Sequence, residues 1–177
     1  DQRGTGKSMP AVLDSTTITI ELTLSDFESL RKKLGINQWV VLGFSYGGYL
    51  ASLYAHYYPA SISKLILLGS IGLNTNVFSY FIDNITSRLC APYIEMFEYW
   101  SDSTREANNP HHALVERIRA RMSGYFYDKK KSLLVSKVMK DSDFNFELGK
   151  WIWGDIQKRD LNLEKVKSNF EKPVLIL

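Results

Sequence analysis

The sequence predicts an α/β domain in which a parallel sheet carries an inserted helical cap. Three observations lead to this prediction. Short apolar runs of strand length lie at 39–42, 64–68 and 174–177. The first two alternate with amphipathic stretches of helical spacing, which is typical of parallel strands joined by crossover helices. Residues 74–170 then contain helical patterns and no strand run, so they are expected to form a cap over the sheet's carboxyl edge.

The central motif is the G-x-S-x-G stretch from Gly43 to Gly47, which joins the first apolar run to a helical pattern. This order of strand, sharp turn and helix presents a serine, here Ser45, with its hydroxyl exposed and its backbone strained. Cβ atoms at Gly43 and Gly47 are expected to collide with neighbouring backbone. Because the turn opens a helix, the N–H of Tyr46 is placed to stabilise an oxyanion. The pattern predicts a nucleophile, and a glycine-rich connection with an incidental serine is the alternative.

Apolar spacing and capping residues define the other elements. A helix is expected over 20–34, with Ser25 and Glu28 as a capping box for a late start and Gly35 as its stop. Alternation from Ile18 onwards would fit a strand there instead. The short apolar runs are expected to be strands buried on both faces. The helix after the elbow should end at Pro59, and four cap helices are expected, at Val77–Leu89, His112–Met122, Ser132–Met139 and Phe146–Trp153.

The domain limits follow from these elements. The core is expected at 1–73, the cap at 74–170 and a return strand of the core at 171–177. With 177 residues, 45% of them hydrophobic, the chain is long enough to bury a core. Its one cysteine, Cys90, cannot form an internal disulfide and is expected to fill the core within a helix.

Charge and hydropathy indicate neither a nucleic-acid nor a membrane partner. The formal net charge is +3, and the densest basic run, Lys129–Lys131, has no interleaved aromatic residue. It follows Asp128 and is therefore interpreted as a solvated helix start. No apolar run reaches membrane-spanning length. The expectation is a cytoplasmic protein with no cofactor and no metal, whose oligomeric state the sequence leaves open.

The chain opens on a glycine-rich polar loop, Asp1–Ser8. The end of this loop, Gly6–Ser8, matches the end of a phosphate-binding P-loop, but that motif requires a glycine where this chain has Asp1. Pro10 also disfavours the helix that a P-loop needs directly afterwards. A surface turn or a loop at the catalytic face is therefore the preferred interpretation.

Three stretches in this order resemble the proline iminopeptidase family of the α/β-hydrolase superfamily. They are the opening loop Asp-Gln-Arg-Gly-x-Gly-x-Ser, the elbow Gly-Phe-Ser-Tyr-Gly-Gly preceded by Leu-Gly-Ile-Asn-Gln-Trp, and the run from Tyr58 to Gly69. The opening loop is the feature most specific to this branch, whereas the elbow alone identifies a serine hydrolase of the superfamily. The resemblance covers residues 1–70 and rests beyond them on architecture only.

The resemblance implies a serine hydrolase that releases an amino-terminal proline through an acyl-enzyme. Ser45 would be the nucleophile and the N–H of Tyr46 one oxyanion donor. Asp1 and Arg3 would organise the catalytic face, with a turn held by its own side-chain bonds as the alternative. The substrate would be a small peptide, amide or ester. A carboxylesterase, lactonase or carbon–carbon-bond hydrolase on the same fold is the other enzyme class that the elbow fits.

The resemblance also implies parts that find no match in the chain. These are the family's upstream His-Gly-Gly-Pro loop, its triad acid and its triad histidine, so we expect a partial sequence without turnover of its own. His56, His111 and His112 are poor substitutes for the triad histidine, because one follows the nucleophile on the same helix and two begin a cap helix.

A substrate with an amino-terminal proline requires a carboxylate for its ammonium group and an aromatic wall for its ring. The predicted cap supplies candidates of both kinds: Glu95, Glu98, Glu147, Trp151 and Trp153. The same stripes also fit cap helices that pack on the core with their carboxylates solvated.

Overall fold

The structure is a computed structural model, and it describes three stretches of the chain: 1–72, 78–159 and 170–177. These residues form two compact units. The sheet unit comprises Asp1–Phe78 and Glu147–Leu177, and the helical unit comprises Ser79–Phe146. Within the described stretches, no helix is both long and apolar enough to cross a membrane.

The sheet has three parallel strands in the order β1, β2, β3. Strand β1 spans Trp39–Phe44, β2 spans Ile62–Leu68 and β3 spans Val174–Ile176. In register, Val41 of β1 lies opposite Leu65 of β2. The parallel sheet predicted from the three apolar runs is confirmed.

Eight helices are described. They are α1 (Ile20–Lys33), α2 (Tyr46–Tyr57), α3 (Phe78–Thr86), α4 (Ala91–Trp100), α5 (Ser103–Asn108), α6 (Pro110–Tyr125), α7 (Lys129–Val138) and α8 (Phe146–Arg159). Short 3₁₀ turns lie at Pro59–Ser61 and Asp141–Asp143.

The core of the sheet unit lies on one face of the sheet. Leu53 and Tyr54 of α2 are 0% and 1% exposed, and Leu24 of α1 and Ile156 of α8 join the same apolar cluster. From the sheet, Leu65 is buried in this cluster. Each large apolar side chain buried in this way stabilises the fold by about 1.5–3 kcal/mol.

The other face of the sheet is open among the described residues, and the expectation that the strands are buried on both faces is wrong here. Val40, Leu42 and Phe44 of β1 are 53%, 59% and 66% exposed. All three residues of β3 are exposed as well. The physical reason is that α1, α2 and α8 all pack on the same side, in one cluster.

Helix α1 begins at Ile20, as the helical spacing over 20–34 predicted, and neither the late start at Ser25 nor a strand is found at this point. Thr19 is the N-cap, and its side chain accepts a hydrogen bond from the N–H of Leu22. The carboxylate of Asp155 on α8 accepts a second one, at 2.8 Å, from the N–H of Ile20. These acceptors satisfy helix N–H groups that lack an intrahelical partner. A capping box at Ser25 is therefore unnecessary, and that prediction is wrong.

The stop of α1 agrees with its prediction. Gly35 follows the C-cap Leu34 and adopts a φ of 67°. This left-handed conformation ends a helix with little strain only when the residue lacks a Cβ.

In the helical unit, α6 packs against both α4 and α7. Helices α3, α6 and α7 overlap the predicted segments, and α8, most of which belongs to the sheet unit, overlaps the fourth. Helices α4 and α5 were not predicted as separate elements. Asp102 is the N-cap of α5, and its side chain accepts hydrogen bonds from the N–H groups of Thr104 and Arg105.

Two smaller predictions in this unit have different outcomes. The helix start at the basic run is confirmed, because the Asp128 side chain caps α7 by accepting from the N–H groups of Lys130 and Lys131. The prediction for Cys90 is wrong in its position. Cys90 is the half-buried N-cap of α4, where the chain turns between two helices.

The predicted cap limits of 74 and 170 remain a prediction, and residues 74–77 and 160–169 lie outside the described residues. The helical unit itself is narrower, because its contacts end at Phe146 and α8 packs with the sheet unit from Glu147 onwards. Ile156 is the side chain that α8 places in the sheet unit's core.

Candidate active site

Ser45 occupies the sharp turn between β1 and α2. Its backbone adopts φ 52° and ψ −120°, and it is the one non-glycine residue with a positive φ in the described chain. Such a conformation costs about 1–3 kcal/mol and persists only where the surroundings impose it. The half-buried side chain forms no hydrogen bond that caps α2. Its hydroxyl is therefore not engaged as the helix cap.

Three backbone hydrogen bonds hold this strained turn. The N–H of Ser45 donates to the carbonyl of Leu68 at 3.1 Å, at the end of β2. The carbonyl of Ser45 accepts from the N–H of Gly48 at 2.9 Å and from that of Ile71 at 3.3 Å. The position of Ser45 is thus defined by the neighbouring strand as well as by its own helix.

The glycines of the motif differ in what they permit. A Cβ on Gly43 would lie 2.6 Å from Cα of Gly48 and would overlap the carbonyl group of Gly47, so the steric prediction for Gly43 agrees with the structure. A Cβ on Gly47 would meet no atom of the described residues within 4 Å, so that part of the prediction is wrong. The tight position is Gly48, whose Cβ would lie 2.5 Å from Oγ of Ser70.

Tyr46 is the first residue of α2. Its N–H belongs to the first turn, whose N–H groups have no intrahelical acceptor and favour negative charge. The Tyr46 hydroxyl is buried without a hydrogen-bond partner among the described residues. This burial, more than the nearby Tyr49 and Asp155, raises the pKa of that hydroxyl above its usual value.

The opening loop is bonded within itself and to α1. The carboxylate of Asp1 accepts a 2.9 Å hydrogen bond from the N–H of Lys7. Gly6 adopts φ 51°, and a Cβ there would lie 2.5 Å from Cγ of Asp1. The guanidinium of Arg3 forms a two-pronged ion pair with Asp26, at 2.9 Å and 2.6 Å. These contacts are those of a turn held by its own side chains, and a catalytic-face role for Asp1 and Arg3 remains a prediction.

A cavity of about 640 Å³ lies beside this loop. Its lining combines charged and apolar side chains from the loop and α1: Asp1, Gln2, Arg3, Ser8, Met9, Pro10, Thr23, Asp26, Phe27 and Leu30. Ser45 is not among them.

The predicted substrate-binding residues divide between the two units. Glu95 and Glu98 are exposed on α4 of the helical unit. Glu147 is exposed in the first turn of α8, in the sheet unit. Trp153 packs against Phe78 with ring centroids 4.9 Å apart. None of these contacts brings a carboxylate to an aromatic wall within the described residues.

Trp151 differs from Trp153, two positions along the same helix. Its indole Nε1 is buried without a hydrogen-bond partner among the described residues, and Lys150 lies over its ring at 5.3 Å. A substrate-binding role for Trp151 remains a prediction.

The three histidines are engaged locally. His56 lies in the last turn of α2 with its ring 4.8 Å from that of Tyr57. In the helical unit, Nδ1 of His112 lies 2.9 Å from the carboxylate of Asp141. Nε2 of His111 lies 2.8 Å from the carbonyl of Asp141.

Three residues near the elbow had no role in the sequence interpretation. Gly48 and Ser70 form the tight contact beside the turn. Asp155, 135 positions further along the chain, accepts a hydrogen bond from the N–H of Ile20 at the start of α1. The Gly-Gly pair at 47–48 was a signal that one of the two positions excludes a side chain. Nothing in the sequence pattern indicated that Ser70 is the residue that would collide with it.

The chain is similar in sequence to known hydrolases. The family model of the alpha/beta hydrolase fold matches residues 1–177. The proline iminopeptidase of Xylella fastidiosa strain Temecula1 is 39% identical over 89 residues, which are 50% of this chain and 28% of the relative. The proline iminopeptidase of Arabidopsis thaliana is 31% identical over 123 residues, which are 70% of this chain and 31% of the relative. The matched regions thus span less than a third of each relative.

Solved structures share the fold at lower identity. The crystal structure of VinJ superposes with a TM-score of 0.60 at 16% identity, over 99% of this chain and 61% of that one. The crystal structure of the Mycobacterium smegmatis proline iminopeptidase gives a TM-score of 0.53 at 17% identity, over 99% of this chain and 60% of that one. The resemblance to proline iminopeptidases stated from the motifs is confirmed, and the chain belongs to the alpha/beta hydrolase fold family.

Proposed function

We propose that the native protein carrying this chain is a serine hydrolase of the proline iminopeptidase type. The observation that carries the proposal is the backbone of Ser45, strained at φ 52° directly before α2. Strain of this kind is characteristic of functional positions and presents the hydroxyl at the end of a sheet strand. The identity to proteins named proline iminopeptidase supports the substrate class.

In the proposed mechanism, Oγ of Ser45 attacks the carbonyl carbon of the scissile bond. A histidine outside the described residues takes the hydroxyl proton and later donates it to the leaving amine. The oxyanion of the tetrahedral intermediate accepts a hydrogen bond from the N–H of Tyr46. Collapse breaks the carbon–nitrogen bond and leaves a prolyl ester on Ser45. Water then hydrolyses this ester and regenerates the serine.

Substrate selection would depend on a carboxylate that binds the amino-terminal ammonium group. The proposed candidates are Glu95, Glu98 and Glu147, with Trp151 and Trp153 as candidate walls for the ring. Their exposure among the described residues leaves the carboxylates accessible to a ligand. Such a pair of opposite charges contributes most when a bound substrate removes water from it.

The first test is covalent labelling of the native protein with a fluorophosphonate. Labelling is expected in the wild type and is expected to disappear in Ser45→Ala. Ser63→Ala removes a half-buried serine from the neighbouring strand β2 and is the matched control, which should label like the wild type. A wild type that is not labelled, or a label that persists in Ser45→Ala, would refute the assignment of the nucleophile.

The second test separates aminopeptidase from esterase activity. Each glutamate is replaced by glutamine, and hydrolysis of a proline anilide is compared with that of a neutral ester. Loss of a desolvated charge pair should lower kcat/KM for the anilide by roughly thirtyfold or more and leave the ester nearly unchanged. Equal losses on both substrates, or no loss in any of the three variants, would favour the esterase.

A further inference from the structure

Residues Gly69–Gly72 follow β2 and form a short turn beside the elbow, here called the strap. Its two glycines adopt left-handed conformations, with φ 48° at Gly69 and φ 88° at Gly72. Between them, Oγ of Ser70 accepts a 3.3 Å hydrogen bond from the N–H of Gly72. The side chain of Ser70 thus bonds across the turn that it belongs to.

The strap contacts the elbow at two points. The N–H of Ile71 donates to the carbonyl of Ser45 at 3.3 Å. The side chain of Ser70 lies against the Cα of Gly48. A Cβ added to Gly48 would lie 2.6 Å from Cβ of Ser70 and 3.1 Å from Cα of Ser70. One contact is therefore with the serine itself, and the other is with the first turn of the helix behind it.

We propose that Ser70 is a positioning residue for the Ser45 nucleophile. The inference rests on the proposed function, since it concerns how that nucleophile is held. Ser70 fixes the first turn of α2 by direct packing on Gly48. By bonding the N–H of Gly72, it also holds the strap conformation that directs the N–H of Ile71 at Ser45.

Local packing explains why this position needs a small side chain and why a hydroxyl suits it. The space between the strap and α2 has no room for a Cβ on Gly48 while Ser70 is present. A larger side chain at position 70 would displace the start of α2 and with it the N–H of Tyr46. A displacement of about 1 Å at a reacting group can lower a rate by about a hundredfold.

The test is a double-mutant cycle on the labelling rate of the native protein with a fluorophosphonate. Gly48→Ala should lower the rate by about a hundredfold or more, because the added Cβ meets Ser70. Ser70→Gly alone should lower it by only about fivefold, through loss of one hydrogen bond. In the double variant the two side-chain contacts, at 2.5 Å and 2.6 Å, are removed and only the 3.1 Å approach to Cα of residue 70 remains, so the rate should recover at least about tenfold over Gly48→Ala. Wild-type labelling in Gly48→Ala, or no recovery in the double variant, would overturn the proposal.

Ser70→Ala gives a second measurement that a folding defect cannot imitate. It keeps the Cβ against Gly48 and removes only the bond to Gly72. The maximal labelling rate should fall by about fivefold. The probe concentration for half-maximal rate should stay unchanged, and the thermal unfolding midpoint should fall by no more than the few degrees that one lost hydrogen bond costs. An unchanged maximal rate, or a fall that follows the unfolding midpoint, would overturn the positioning role.

The outcome for the proposed function is separate. If the wild-type protein is not labelled at Ser45, the proposed function fails. The cycle is then measured on the thermal unfolding midpoint, where recovery in the double variant supports the strap contact and its absence contradicts it.

Discussion

The carboxylate of Glu28 on α1 accepts a 2.7 Å hydrogen bond from the hydroxyl of Tyr54 on α2. The same carboxylate forms a two-pronged ion pair with Arg31, at 3.0 Å and 2.6 Å. Arg31 in turn donates to the carbonyls of Ile36 and Asn37, just before β1. A single buried acid therefore ties together the two helices and the entry to the strand that leads to Ser45.

Glu28→Gln should lower the free energy of unfolding of the native protein by more than Tyr54→Phe does, because it removes the carboxylate charge that pairs with the half-buried Arg31 as well as weakening the bond from Tyr54. Tyr54→Phe is the matched comparison, since it removes one hydrogen bond and keeps the ring. Its cost should be about 1 kcal/mol. Urea unfolding measures both values. A loss for Glu28→Gln no larger than that for Tyr54→Phe would contradict a dominant role for the ion pair.

The stability supplied by Glu28 should depend on pH. The hydrogen bond from Arg31, with that from Tyr54, lowers the pKa of Glu28 from 4.5 to about 2. Because the folded-state pKa is the lower one, the contribution is fully present above about pH 4.5 and is lost as the pH falls towards 2. The difference in unfolding free energy between the wild type and Glu28→Gln should therefore shrink across this range. A difference in unfolding free energy that stays constant between about pH 5 and about pH 3 would contradict the lowered pKa of Glu28.

The two outer glycines of the elbow should respond differently to alanine. Gly43→Ala places a Cβ against the backbone of Gly47 and Gly48 and should abolish phosphonate labelling of Ser45. Gly47→Ala meets no described atom and lies in α2, where alanine is favoured by about 1 kcal/mol over glycine. It should keep labelling and raise the unfolding free energy. Labelling that is lost equally in both variants would contradict the difference between the two positions.

The link between α8 and α1 should be measurable as a helix-cap effect. Asp155→Ala removes the acceptor for the N–H of Ile20 and should lower the unfolding free energy by about 1–2 kcal/mol. Thr19→Ala removes the local cap of the same helix and is expected to have a loss of about 1 kcal/mol. Thermal unfolding of the native protein gives both values. An Asp155→Ala protein as stable as the wild type would show that Thr19 alone caps α1.

Features written in local sequence were predictable. The runs at 39–42 in β1 and 65–68 in β2 are continuously apolar, and Gly35 ends α1 because only a local left-handed turn is needed there. The elbow was equally visible, since strand, turn and helix are adjacent in the chain. In each case the residues whose pattern predicts the element lie within a few positions of one another.

Features that depend on distant residues were missed. The start of α1 uses Asp155, and the glycine that must lack a Cβ is decided by Ser70 on another strand's loop. Whether a strand is buried on both faces depends on which side each helix packs, and apolar composition does not carry that information. The same limit applies to Glu95 and Glu147, whose roles depend on surroundings that spacing alone does not define.

Ser45 also has a consequence for how this family of sequences can change. At φ 52°, glycine would relieve the backbone strain at position 45. Selection for stability alone would therefore favour glycine over the serine that is proposed to perform the chemistry. Drift without selection for activity should therefore erode this position first and leave the sheet intact. A relative that has kept its strands but carries glycine at this position would be expected to have lost the catalytic activity and to have a more stable fold.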